Sequence, residues 1–195
     1  MNKGAQTRAA ILDHAVAIAG VHGLAGMSIA RLAGVTGMSK SGLFGHFGSK
    51  AALQRAVLET AAEQLARSVL GPAQREPTGE ARLRSLFSRW LAWIDADERP
   101  GGCPLLFASI ELAERPGELR DFLVDHQEIW IDRIRRMCQK AVAEGNFREG
   151  LDTRQFAFEF HGIGLGFNFA RRFLADSRAL THANTALDRL IAAAS

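Results

Sequence analysis

The sequence predicts an all-α protein of about nine helices, and three observations predict it. Apolar residues recur at spacings of three and four through most of the chain, and no run alternates in the manner of a half-buried strand. Ser, Thr or Asp heads several of these stretches, where a side-chain oxygen takes up the free N–H groups of a first helical turn. The prolines and several glycines gather in or beside short breaks at 71–79, 97–103 and 115–117.

The elements follow in order. Ile11, Ala15, Ile18 and His22 mark a first helix that starts near Thr7 and is stopped by Gly23, the residue type that tolerates a left-handed backbone. Ser28 is an N-cap for a short helix through Ala33, Gly37 turns the chain, and Ser39 caps a second short helix. Ser49 opens a longer helix through Leu53, Val57, Leu58 and Leu65. It should break at Gly71 and Pro72, because proline lacks the N–H and crowds the preceding turn. Further helices are expected at about 80–96, 104–114, 118–144, 153–174 and 178–194, and Asp152 with Gln155 resembles a capping box. No internal repeat or low-complexity tract is present.

The 195 residues, 47% hydrophobic and 23% charged, are enough for a substantial core and exclude a disordered, collagenous or rod-like chain. Charged residues or histidines interrupt the apolar stretches well short of the roughly 18 residues that a membrane span needs, and the N-terminus lacks a signal-peptide layout. A cytoplasmic protein without a membrane partner is therefore expected. Cys103 and Cys138 alone cannot form a disulfide framework or a four-ligand zinc site, so no metal is expected and a reducing compartment fits. Cys103 at a helix start is either a redox-sensitive thiol or a buried structural one.

The net charge of +3 conceals a segregation. Residues 1–50 hold five Lys and Arg against Asp13 alone, +4, while the remaining nineteen cations face twenty carboxylates, −1. No carboxylate occurs between Asp13 and Glu59. A surface that meets phosphates must avoid like charge, although an Ala- and Gly-rich helical region could also lack acids for no functional reason.

Within that window, SIARLAGVTGMSKSGLFGHFGSK from Ser28 to Lys50 suits a helix-turn-helix. Such a unit needs a small residue where two helices cross, a turn residue tolerant of positive φ, and an apolar residue to close the wedge. Ala33, Gly37 and Leu43 meet these demands in order, with Leu32 and Met38 as further buried positions. The second helix would then expose Lys40, Ser41, Gly42, Phe44 and Gly45, small enough for the helix to lie deep in a major groove. Ser28 and Ser49 place helix N-termini where phosphates can sit, Lys50 adds charge beside the second, and Ser39 opens the recognition helix at about 39–45.

The densest part, GMSKSGLFGHFGSKAAL, resembles the pattern G-(V)-S-x-x-x-(L)-(Y/F)-x-(H/Y)-F-x-S-K-x-x-L of the tetracycline-repressor (TetR) family of bacterial transcription regulators. The match covers roughly residues 5–60, with TRAAILDHAVAIAGVHGLAGMSI similar to the family's first helix and the loop after it. Ser39, Leu43, His46, Phe47, Ser49 and Lys50 all agree with the pattern. Phe44 stands where the family commonly has a tyrosine that meets a phosphate, and this chain has no tyrosine. That leaves His46 and Lys50 to hold the backbone, unless the His46 ring is packed at the junction with the following helix. The resemblance implies a DNA-binding domain at 5–65 and a C-terminal regulatory domain at 66–195 that dimerises and binds an effector. GGCPLLFASIELAERPGELRDF at 101–122 is similar to a stretch of some of the family's ligand-binding domains.

Phe156, Phe160, Ile163 and Phe167 form one helical stripe and Phe158, Gly162, Leu165, Phe169 and Phe173 another on the far side. One side can face the domain's own core. The other needs a partner, with Gly162 and Gly166 allowing close approach and Leu187 and Leu190 contributed by the last helix; the alternative is a central helix of a monomeric bundle. Phe122, His126, Trp130, Arg133 and Met137 share a stripe of the long helix. His126 and Arg133 either bond within the core or orient an effector in a largely apolar pocket walled by Phe87, Trp90, Phe107, Ile110 and Trp130.

No catalytic constellation, phosphate loop or metal spacing occurs, and GIGLG at 162–166 lacks the preceding strand that a dinucleotide loop needs. An enzyme and a cofactor are not expected. The expected function is a homodimeric, DNA-binding transcription regulator, a repressor released from a near-palindromic operator by an unidentified small molecule. Activation instead of repression stays open, and the alternative is a helical small-molecule carrier or scaffold without operator binding.

Overall fold

In a computed structural model of the chain, residues 3–96 and 102–195 are described, so most of the expected break at 97–103 lies outside them. Among the described residues there are nine helices and no strand, counting one continuous helical rod as a single element. In order they are α1 (Lys3–Gly26), α2 (Ile29–Thr36), α3 (Lys40–Phe47), α4 (Lys50–Leu65, continued by Ala66–Leu70 and Gly71–Gln74), α5 (Gly79–Asp95), α6 (Pro104–Glu111), α7 (Glu118–Ala143), α8 (Thr153–Arg172) and α9 (Ala179–Ala194). They divide into two compact units: the described residues up to Gln64 with those from Gly102 to Val124, and 65–96 with 125–195.

The first unit is built on α1. Ile11, Leu12, Ala15, Val16, Ile18 and Ala19 are buried, while His22, expected on that stripe, is exposed. The inward face is rotated toward Leu12, Val16 and Ala19, so the fourth member of the expected stripe falls outside it. Gly4–Gly26 is long and apolar enough to cross a membrane by length and composition, contrary to expectation, yet 44% of its most apolar window is buried in the protein's own core. Gly23, at φ 68° and ψ 176°, kinks the helix as expected of a glycine there.

The expected break at Gly71 and Pro72 does not occur. Gly71 is helical, and its N–H reaches back to the Ala66 carbonyl in a π-helical turn. The wider turn offsets the hydrogen-bond register ahead of Pro72, which lacks an N–H of its own, and lets the rod continue to Gln74.

In the second unit the Thr78 hydroxyl caps α5 by accepting from the Ala81 N–H, and the Asp152 carboxylate caps α8 by accepting from Arg154 and Gln155. The Gln155 amide donates to Glu159, one turn on. Phe87 meets Phe160 edge to face at 5.3 Å. Trp90 lies stacked on His161 at 5.6 Å and 6°, tilts against Trp130 at 5.2 Å, and has room only because Gly164 carries no side chain. Each aromatic ring buried in this way contributes about 2–3 kcal/mol.

Burial pushes the imidazoles of His126 and His161 below their ordinary value of 6.5, and the nearby Arg133 adds to the effect at His126. Above that value both are neutral, folded or unfolded. As the pH falls through 6.5 the unfolded chain takes up protons that the folded one resists until its lower pKa is passed, so stability declines. The urea midpoint should be lower at about pH 5.5 than at about pH 7.5. His161→Phe, which keeps a ring on Trp90, should remove part of the difference; an unchanged difference would show that His161 does not contribute.

Candidate nucleic-acid interface

Two serines set the ends of the helix-turn-helix. The Ser28 hydroxyl accepts from the Arg31 N–H at 3.1 Å and starts α2. The Ser39 hydroxyl accepts from the Gly42 N–H at 3.0 Å and starts α3. Between them Gly37 ends α2 at φ 66° and ψ 15°, a left-handed conformation that a side chain would strain. Leu32 and Leu43 are 0% and 2% exposed and close the wedge between the two helices, with Leu24 and Met27 buried in the same unit. Ala33 and Met38 are partly buried.

The outer face of α3 presents Lys40, Ser41, Phe44 and Gly45. Phe44 is 52% exposed, and a Cβ added at Gly45 would meet only open space. Gly42, expected with them, is partly buried, because it lies over the cap: an added Cβ would stand 3.2 Å from the Ser39 hydroxyl. His46 is half-buried, its ring 6.3 Å from Phe47, and the Arg8 guanidinium lies 5.1 Å over the Phe47 ring. Lys50 is exposed at the start of α4, beside the Ser49 hydroxyl that accepts from the Ala52 N–H at 3.1 Å. Ser28 and Ser49 each use an oxygen lone pair for their helices, which leaves the O–H to donate to a phosphate, whereas the Ser39 hydroxyl also meets that of Ser41 at 3.1 Å.

The chain matches a family model described as bacterial regulatory proteins, tetR family, over residues 11–57. A second, described as tetracyclin repressor-like, C-terminal domain, matches residues 79–187, more than half of the chain. The chain belongs to the tetracycline-repressor (TetR) family. This TetR-family chain is also similar to solved structures of regulators. One is a TetR transcriptional regulator from Chloroflexus aurantiacus J-10-FL, 26% identical over 98% of this chain and 96% of that one, with a TM-score of 0.87. Another is the TetR-family regulator from Cytophaga hutchinsonii, 24% identical over 100% and 98%, with a TM-score of 0.88. A third, AibR solved with isovaleryl coenzyme A and operator DNA, is 24% identical over 83% and 85%, with a TM-score of 0.69. Among curated protein sequences nothing matches. The helix-turn-helix is thus that of a DNA-binding transcriptional regulator.

The other site residues of this TetR-family chain fall in both units. Phe87, Trp90 and Trp130 are 0%, 2% and 5% exposed in the aromatic core of the second unit. The indole N–H of Trp130 and Nε2 of His161 are buried there without a hydrogen-bond partner among the described residues. His126 and Arg133 are partly buried, and Arg133 lines an open hollow of about 730 Å³ with Gln74, Glu128, Ile129, Asp132 and Arg136. Phe107 and Ile110, expected as pocket walls, lie on α6 in the first unit. There the Phe107 ring packs on Gly23, and Ile110 is 77% exposed. Both cysteines are buried, and burial pushes the Cys138 thiol up to about 12.

On α8 the two stripes separate, with Ile163 of the inward one only partly buried. Phe156, Phe160 and Phe167 are at most 2% exposed, whereas Phe158, Leu165, Phe169 and Phe173 are 72%, 42%, 55% and 76% exposed, with Gly162 and Gly166 also exposed among them. Leu187, expected on the outer surface, is instead 5% exposed. The buried side of α9 carries Ala179, Ala183, Leu187, Ile191 and Ala194, leaving Leu180 exposed and Leu190 half-exposed.

Sequence reasoning missed three side chains that hold the helix-turn-helix in place: Arg8 over Phe47, Gln54 and Glu111. Glu111 accepts from the backbone N–H groups of Leu24 and Ala25, and Gln54 donates to the Leu24 carbonyl. No local spacing marks any of them, since their partners lie 30 to 87 residues away in the chain for Gln54 and Glu111.

Proposed function

We propose that the chain is a homodimeric repressor that binds a near-palindromic operator and is released by a small, largely apolar effector in the cytoplasm. Residues 5–65 would be its DNA-binding part and 66–195 its regulatory part, of which 102–124 packs with the former. The observation that carries this reading is the outer face of α3: small, cationic and free of carboxylate, on a helix capped at both ends. Lys40, Ser41, Phe44 and Gly45 would face base edges, Phe44 by apolar contact with sugar or a thymine methyl, while Ser39 and the partly buried Gly42 would form the helix start that enters the groove. Ser28, His46 and Lys50 would hold phosphates.

The outer stripe of α8 would join two copies, which sets two recognition helices about 34 Å apart on one face of the duplex. A TetR-fold regulator with both an acyl-coenzyme A and operator DNA, as in AibR, supports an effector that acts on DNA binding. The effector would favour a state in which the two recognition helices are wrongly spaced, so effector and operator weaken each other reciprocally.

Selection of bound duplexes from random DNA tests the operator reading, and recovery of no preferred sequence at low salt would refute it. On a selected duplex, Lys50→Ala should weaken binding to every sequence and lower the steepness of the salt dependence by about one contact. Substitution of Lys40 or Ser41 should instead change which sequences are preferred. An unaltered affinity and salt slope in Lys50→Ala would remove the phosphate role.

A further inference from the structure

The window from 14 to 58 lacks carboxylates in sequence, but not in space. Glu111, the last residue of α6, sets both carboxylate oxygens on backbone N–H groups just after the α1 kink: Oε2 on Leu24 at 2.8 Å and Oε1 on Ala25 at 2.7 Å. Gly23 breaks the helical register there, so those N–H groups begin a new turn, and the carboxylate serves them as a cap serves a helix start. A carboxylate at the C-terminal end of its own helix faces the negative end of the helix dipole, an unfavourable place unless strong donors meet it. Two N–H groups meet it here, in charge-assisted bonds.

The fit is close. A Cβ at Gly23 would stand 2.6 Å from Glu111 Oε2 and 2.7 Å from the Phe107 ring, so the carboxylate occupies space that any side chain at that position would need. The Leu24 carbonyl is bound in turn by the Gln54 amide at 2.9 Å, so Leu24 is held at its N–H from α6 and at its C=O from α4. Leu24 and Met27, 1% and 0% exposed, then sit beneath the start of α2 at Ser28.

We propose that Glu111 is a positioning residue for sequence reading: its carboxylate caps the turn that leads into α2 and so fixes the angle at which α3 is presented to base edges. The proposal rests on the DNA-binding reading above. It assigns to a residue outside the helix-turn-helix, and outside its acid-free stretch, a part in discriminating one duplex from another. Phosphate contacts tolerate small rotations of the protein, because lysine chains are long and every sequence offers the same backbone. Base-edge contacts do not tolerate them.

The test uses the full chain without added effector, a duplex that the wild-type chain selects from random DNA, and a scrambled duplex of equal length. In Glu111→Ala the preference for the selected duplex should fall about tenfold, comparable to losing one base pair of the site, with scrambled-duplex affinity within about twofold of wild type. Glu111→Gln, with one acceptor oxygen and an NH2 opposing the second N–H, should fall part of the way and is isosteric, so it carries the test if the alanine variant does not fold. Hydrogen exchange at the Leu24 and Ala25 amides should accelerate in both variants. Faster exchange with undiminished preference would overturn the positioning role and leave only a structural cap, and unchanged exchange would overturn the clamp itself. If the wild-type chain selects no duplex, the operator reading fails first, an outcome distinct from either.

Discussion

Gly79→Ala should destabilise the C-terminal unit by about 3 kcal/mol, the upper end of what overpacking ordinarily costs. An added Cβ would stand 2.2 Å from the Ala141 backbone nitrogen and 2.6 Å from the Met137 carbonyl oxygen, both on α7. Backbone inside a helix cannot swing aside as a side chain tip does, so α5 and α7 would have to separate. Separation also breaks the bond from the Gly79 N–H to Glu144 Oε2 at 2.6 Å, leaving Glu144 its ion pair with Lys140, one turn before it. Those two contacts hold the Glu144 carboxyl below its ordinary pKa, first through Lys140 and then through the Gly79 amide. Chemical denaturation followed by circular dichroism measures the loss. Gly145→Ala, strained by a φ of 74° but with open space around its Cβ, serves as a comparison that should cost less. Equal midpoints for wild type and Gly79→Ala would show that the two helices are not packed backbone to backbone.

Phe169→Glu should leave the protomer folded and abolish its dimer, and with it operator affinity by about 10²- to 10⁴-fold, the advantage that two linked reading heads have over one. Phe169 is 55% exposed in the protomer, with its ring stacked on Phe173 at 5.0 Å, so a carboxylate there meets water and costs the single chain little. In a dimer formed through Phe158, Leu165 and Phe173 the same carboxylate would be buried opposite apolar side chains, which is prohibitive without a partner. Light scattering reads the oligomeric state, circular dichroism the fold, and binding to a selected duplex the affinity. A persistent dimer would place the interface elsewhere on the chain.

The helices of this protein are legible because their causes are local. Ser28, Ser39, Thr78 and Asp152 each cap a helix within three residues of themselves, and the Phe156 to Phe173 stretch separates into a buried and an exposed stripe by helical period alone. The helix-turn-helix is legible for the same reason, since Gly37 and Leu43 meet their partners within one hairpin of helices. Where expectation failed, a neighbour decided. Pro72 ought to end a helix, yet a π turn before it re-registers the backbone. Leu187 lies on an apolar stripe that could face either way, and the protomer's own core claims it.

The amino-acid sequence by itself determined an all-helical TetR-family regulator, its helix-turn-helix, the basic and acid-free character of residues 14–58, and the two-sided nature of α8. Capping, period and charge act over a few residues, and a linear reading contains them. Only the tertiary structure decided that Glu111 returns a carboxylate to the acid-free segment 87 residues away, that Trp90 needs Gly164 beneath it, and that Gly79 must be bare where α5 meets α7. These depend on which surfaces come together and at what distance, and a separation of a few tenths of an ångström is set by packing the whole unit, not by any spacing in the chain.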